Sequence, residues 1–151
     1  VRSDLAKYEV KQMPEDYHFE LGKATVIREG EDVTLIGSGI MVSRCKEAAE
    51  ILRGRGISAE VINVSTIKPL DTETIIRSAS KTKHVVTAEN STVIGGLGGA
   101  VAEVLSEECP VKMRRIGIKD RFGHSGLIDE LLEIYNLTTG DIVKKALEVL
   151  G

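Results

Sequence analysis

The spacing of apolar residues changes abruptly and repeatedly along this chain. "VTLIGSG" (33–39) is a near-continuous apolar run, as expected of a strand covered on both faces. From residue 41 the period becomes helical. Met41, Val42, Cys45, Ala48, Ala49 and Leu52 fall on one helix face, and Gly54 and Gly56 close the helix. The same switch then recurs. "SAEVINVS" (58–65) reads as a strand, and Asp71 after Pro69 N-caps a short helix carrying Ile75, Ile76 and Ala79. "HVVTAE" (84–89) is a strand. The helix after it carries Leu97, Ala100, Val101, Val104 and Leu105 on one face and stops at Pro110. "VKMRRIGI" (111–118) is a strand, "KDRFGHSG" a loop and "LIDELLEIY" (127–135) a short helix. Thr138 and Asp141 form a capping box for a last helix over 139–150.

Strands alternating with helices imply an α/β fold with right-handed crossovers. The expected architecture is a three-layer α/β/α domain around a five-stranded, mostly parallel sheet. "KATVIRE" (23–29) is the exception. Only "GED" (30–32) separates it from the next strand, too short for a crossover. It should run antiparallel to its neighbour or lie at an edge. Residues 1–22 show no sustained period and are expected to be an arm or linker, leaving 23–151 as the domain.

Composition narrows the function. The 151 residues suit one domain, and aromatics make up only 3%, so Val, Ile, Leu and Ala must fill the core. The net charge of -3 gives no basic excess for nucleic acid. No apolar run reaches membrane-spanning length. The start has no apolar h-region, so it is not read as a signal peptide; it also lacks an initiator Met, which processing or a cut from a longer polypeptide would explain. Cys45 and Cys109 sit in no CxxC or Cys/His cluster, so no metal site is expected. Cys45 reads as a buried, inert thiol, and reduced thiols suit a cytoplasmic location.

"STVIGGLGGAVAEVL" (91–105) places four glycines in five positions before a helix. Two readings compete. Gly96, Leu97 and Gly98 could offer backbone N–H groups to an anion at the helix N-terminus. Alternatively the glycines let a strand-to-helix turn take positive φ and let the helix pack close to the sheet. The residues favour the second. A dinucleotide fingerprint fails twice. "GSGIMV" has Val42 where the third glycine should stand, and "INVS" ends its strand without a ribose-binding acid. A P-loop fails too, since "GGLGGAV" lacks Lys-Ser/Thr.

Among polar candidates, Glu89 and Asn90 fall at the carboxyl end of a central strand, where open α/β sheets place their sites. His124, in "FGHSG", is the one candidate catalytic residue, although no positioned acid accompanies it. The alternative is an exposed or interface histidine. Asp120 and Arg121 read as a solvated or loop-fixing pair. His18 and His84 carry little weight.

Four stretches together resemble a known family. They are "FELGKATVIREGEDVTLIGSGIMV", "VINVSTIKPLD", "TAENSTVIGGLGGAVAEVL" and "DRFGHSG…ELLEIYNLTTGDIV". In this order they are similar to the C-terminal domain of transketolase and its thiamine-diphosphate-dependent relatives, over about residues 17–150. "DRFGHS" leans toward transketolase itself. Deoxyxylulose-phosphate synthases and the β subunits of 2-oxo-acid dehydrogenases share the other stretches less closely.

The resemblance implies a three-domain enzyme of which this chain supplies the third part. One further domain would bind the cofactor diphosphate through Mg2+ with a Gly-Asp-Gly signature, which this sequence lacks. Another would hold the pyrimidine, and residues 1–22 resemble the linker leaving it. The implied reaction is transfer of a two-carbon ketol unit between sugar phosphates. This chain alone is expected to be inactive and to bind neither thiamine diphosphate nor Mg2+. It would support a homodimer, turning Glu89, Asn90, Phe122 and His124 toward the missing domains. Two other readings remain at this stage: a free-standing anion- or nucleotide-binding regulatory module using 95–99, and an assembly domain with no ligand.

Overall fold

The computed structural model describes residues 14, 15 and 17–151. Most of the arm expected over 1–22 therefore lies outside the described residues. The chain order is β1 (Ala24–Arg28), β2 (Val33–Gly37), α1 (Met41–Arg53), β3 (Ala59–Val64), α2 (Thr72–Thr82), β4 (His84–Thr92), α3 (Leu97–Glu108), β5 (Lys112–Ile118), α4 (Ile128–Ile134) and α5 (Thr139–Leu150). The sheet order is β1-β3-β2-β4-β5. β2, β3, β4 and β5 pair in parallel, and β1 runs antiparallel to β3 at the edge.

β1 and β2 are consecutive in sequence but not adjacent in the sheet. The chain leaving β1 must cross the end of β3 to reach β2, a distance of two strand spacings, or roughly 10 Å. Gly30 makes the crossing possible. A Cβ there would lie 2.2 Å from backbone atoms of Ala59 and Glu60, so only glycine lets the chain pass. Glu31 and Asp32 then donate their amides to the Ser58 carbonyl, and Ser58 N–H returns a bond to the Asp32 carboxylate at 2.6 Å. The stretch expected as a simple turn is thus a bridge laid over the neighbouring strand.

Helices cover both faces of the sheet. Met41, Cys45, Ala48 and Leu52 of α1 pack with Ile142, Ala146 and Val149 of α5 on one face. Ile75 and Ala79 of α2 pack with Leu97, Val101 and Leu105 of α3 on the other. Leu35, Val61 and Val86 point to the first layer, and Ile36, Ile62 and Val85 to the second. This alternation explains why β2 reads as a near-continuous apolar run. Burial pushes the Cys45 thiol up to about 12, in keeping with an inert core cysteine. The α3 stripe is narrower than expected. Leu97, Val101 and Leu105 are buried at four-residue spacing, while Ala100 and Val104 flank them half-buried.

Polar groups fix the layers in place. Thr34, buried in β2, shares hydrogen bonds with Ser78 and Thr82 of α2 at 2.6 and 2.8 Å. Glu60, buried in β3, pairs with Lys81, which also reaches Glu29 at 2.9 Å. Asp71 caps α2 by accepting Thr74 N–H at 3.1 Å, and its other oxygen takes Ala24 N–H at 2.9 Å. One carboxylate thereby starts a helix and anchors the edge strand. The capping box expected at Thr138 and Asp141 is formed in both directions.

Candidate functional site

The parallel strands end together at one edge of the sheet. The loops there are 38–40, 65–71, 93–96 and 119–127. The strand order reverses between β2 and β4, since β3 lies on one side of β2 and β4 on the other. Open α/β sheets form their ligand crevices at such a point. Ser38, Gly39, Val42, Asn63, Val64, Ser65 and Ile67 line a cleft of about 480 Å³ beside it, together with Tyr17. Asn90 is exposed and stands across from Gly39, whose added Cβ would lie 3.9 Å from the Asn90 Oδ1.

Glu89 differs from its expected role. It is 1% exposed and faces the N-terminus of α3, not a partner. One carboxylate oxygen accepts Leu97 N–H at 2.9 Å and the other accepts Gly98 N–H at 2.9 Å. Ser91 Oγ donates a third bond at 2.9 Å. The amides of Leu97 and Gly98 are therefore already taken by the chain's own anion. A negative charge at a helix N-terminus is favoured by the helix dipole and by direct bonds to its free N–H groups.

The glycines divide this work. Gly95 takes φ +71° to turn the chain out of β4. A Cβ on Gly96 would sit 2.0 Å from Glu89 Oε2. A Cβ on Gly98 would meet Thr87 Oγ1 at 2.8 Å and Arg115 Cδ at 2.9 Å. Gly117 on β5 makes room from the other side, since a Cβ there would lie 2.7 Å from Val93 Cγ1 and 3.0 Å from Glu89 Cγ. A thiamine diphosphate group brought to this cradle would meet a buried carboxylate where its phosphates need donors. The residues present do not fit it. Among the described residues no three His, Cys, Asp or Glu side chains cluster as a metal ion would require.

The second predicted position, the 119–127 loop, is held from below by a residue the sequence reading passed over. Tyr135, buried at the end of α4, accepts His124 N–H at 2.8 Å and donates its hydroxyl to the Phe122 carbonyl at 3.0 Å. The same hydroxyl lies 2.8 Å from His124 Nδ1, and the two rings are 5.9 Å apart. His124 thus meets a phenol, with no carboxylate among its partners. Phe122 is 96% exposed, so the loop presents it outward and does not fold it onto its own domain. Ile94 and Leu127 are exposed as well. The structure keeps Phe122 and His124 on a surface loop, exposes Asn90 near the end of β4 and places Glu89 inside. Nothing in the sequence singled out Tyr135 beyond its position at the end of a short apolar helix.

A mostly parallel five-stranded sheet with an antiparallel edge, helices on both faces and a carboxylate-capped glycine turn define an α/β domain of one kind. A family model described as the transketolase C-terminal domain matches residues 22–142, and the chain belongs to that family. It is 56% identical over 135 residues to the 6-deoxy-6-sulfo-D-fructose transketolase subunit SqwH of Clostridium sp. (strain MSTE9), covering 89% of this chain and 42% of that protein. A putative transketolase C-terminal section of Methanocaldococcus jannaschii is 47% identical, with the same two coverages. A 1-deoxy-D-xylulose-5-phosphate synthase of Heliobacterium modesticaldum is 40% identical over 85% of this chain and 20% of its own length. Among solved structures, a split-gene transketolase described as an inactive beta4 tetramer superposes with TM-score 0.86 and 46% identity, over 91% of this chain and 46% of that one. The chain thus spans about two fifths of the length of the transketolase relatives it matches. Transketolases as a family depend on thiamine diphosphate, and the relatives' extra length implies further domains or subunits.

Proposed function

We propose that this chain is the C-terminal domain of a thiamine-diphosphate- and Mg2+-dependent transketolase whose diphosphate- and pyrimidine-binding domains lie elsewhere, on the same or a separate polypeptide. The family match across 22–142 carries the reading. The parent reaction transfers a two-carbon ketol unit between sugar phosphates, and the cofactor, when bound, supplies carbanion stabilisation. In this reading the cofactor site and the reacting groups belong to the other domains, which the closure of the glycine-rich start of α3 by Glu89 supports. The part this chain plays is to complete a homodimeric enzyme. It does so through the carboxyl edge of its sheet, where Asn90, Phe122 and His124 face outward. We place the enzyme in the cytoplasm, a reading that rests on its two unpaired cysteines; no described helix is long and apolar enough to cross a membrane.

The identity of 56% to a sulfo-fructose transketolase subunit against 40% to a deoxyxylulose-phosphate synthase favours ketol transfer over synthase chemistry. It also makes a 6-sulfo sugar an alternative to a phosphorylated one as the donor. Reconstituting the enzyme from this chain together with its pyrimidine- and diphosphate-binding domains decides the matter. Ketol transfer from fructose 6-phosphate or from 6-deoxy-6-sulfo-fructose supports the reading. Condensation of pyruvate with glyceraldehyde 3-phosphate, without ketol transfer, overturns it.

A further inference from the structure

A second concave site lies away from the cleft at the strand-order reversal. It is a cavity of about 250 Å³ between the carboxyl half of β5, the 119–121 stretch, the turn after α4 and the first turns of α5. Arg115, Lys119, Arg121, Lys144 and Lys145 line it, with Asn136 and the single carboxylate of Asp141. Asp141 is already engaged, because its Oδ2 accepts both the amide and the hydroxyl of Thr138, at 3.0 and 2.6 Å. Lys145 pairs with Glu148 at 2.6 Å, and Arg115 donates one N–H to the Val93 carbonyl at 3.0 Å. Lys119, Arg121 and Lys144 make no ion pair among the described residues.

Five cations around one small cavity repel each other, in a chain whose net charge is -3. Protection of an exposed sheet edge accounts for Lys112 and Arg114, which lie on the edge strand itself. It does not account for Lys119, Arg121 and Lys144, which come from a loop and a helix and converge on the same space. We propose that this cavity is a binding site for the phosphoryl group of a small metabolite. Arg115 and Arg121 supply planar donor forks, Lys119 and Lys144 supply point charges, and Asn136 supplies an amide. The size selects the ligand class. Pockets for drug-sized ligands run from roughly 300 Å³ upward, so this cavity is sized for a phosphoryl group with a few carbons attached. A larger open groove shares Arg115, Lys119 and Lys145 with it and gives the remainder of such a molecule a way out to solvent.

The site is independent of the transketolase assignment, and its test uses no catalytic readout. Inorganic phosphate and ribose 5-phosphate are titrated separately into the ¹⁵N-labelled full chain at constant ionic strength, with chloride as control. The expected result is saturable shifts of the amides at 117–121, 136 and 144–145, with a midpoint on the order of 1 mM or below. Lys144→Gln and Arg121→Gln, both at exposed positions, should each weaken binding about 10-fold, whereas Lys112→Gln on the same sheet edge should not. Tighter binding of ribose 5-phosphate identifies a phosphate ester as the ligand, and equal binding identifies free phosphate. Shifts that rise linearly without saturation overturn the proposal. So does equal weakening by Lys112→Gln, or saturation by poly-glutamate but by neither phosphate, which would mark a surface for acidic macromolecules.

Discussion

Glu89 and Gly98 meet across the start of α3, carboxylate to amide, at 2.9 Å. The glycine turn that invites an anion in the sequence is closed by the chain's own anion in the fold. Replacing Glu89 with Ala leaves the Leu97 and Gly98 amides buried without acceptors, which costs on the order of 2–4 kcal/mol. Urea denaturation measures that loss. Added phosphate should then raise the melting temperature of the variant more than that of the wild type. An equal response of both proteins would show that the emptied cradle does not take an anion.

Gly96→Ala tests the same geometry from the other side. Its φ is an ordinary -95°, so the penalty is purely steric: the new Cβ would sit 2.0 Å from Glu89 Oε2. We expect a loss of about 2 kcal/mol or more. The double variant Gly96→Ala/Glu89→Ala should lose less than the sum of the two single changes. A double-mutant cycle reads this coupling directly.

Tyr135→Phe removes one hydroxyl that holds two backbone groups of the 119–127 loop. We expect about 1 kcal/mol of destabilisation and faster hydrogen exchange at His124, with the core amides unchanged. Exchange that rises throughout the domain would show that Tyr135 supports the core and not the loop.

Asp71 gives the fold an acid limit. Burial raises its pKa, but bonds from the Ala24 and Thr74 amides and the Thr74 hydroxyl, with Lys23 nearby, outweigh burial and hold it below the usual carboxylate value. A depressed folded pKa stabilises above the unfolded value, and that stability is lost as pH falls through the folded one. Stability should therefore decline below about pH 4, and Asp71→Asn should remove part of that decline. An identical acid profile in the variant would show that other carboxylates set it.

The sequence carries most of the fold because the core is aliphatic and the periods are clean. The six apolar positions read for α1 are the six that are buried. The Thr138–Asp141 box and the Asp71 cap were readable because both are local devices, closed within three residues. What stayed hidden depends on distant backbone. Gly30 reads as a turn residue until β3 is found beneath it, and Glu89 reads as a surface acid until α3 is placed eight residues later. β4 runs to Thr92, beyond the expected Glu89, because a register shift lets its end pair again with Ile118. The Tyr135 anchor and the convergence of Lys119, Arg121 and Lys144 form only when α5 docks against β5 beside the end of α4.

Phe122 bears on assembly. A phenylalanine 96% exposed on a loop pinned from below offers apolar surface that the proposed assembly would cover. Phe122→Ser should leave the unfolding free energy within about 0.5 kcal/mol of wild type while weakening association with the pyrimidine-binding domain or with a second copy. Sedimentation velocity separates the two effects. Unchanged association would place the interface elsewhere.

The most direct measurement of the central claim is calorimetric titration of thiamine diphosphate with Mg2+. It is run first on the 151-residue chain and then on that chain assembled with the proposed pyrimidine- and diphosphate-binding domains. The chain alone should give no saturable heat, and the assembly should bind saturably. Saturable, micromolar binding by the chain alone would contradict the assignment of the cofactor site to the other domains.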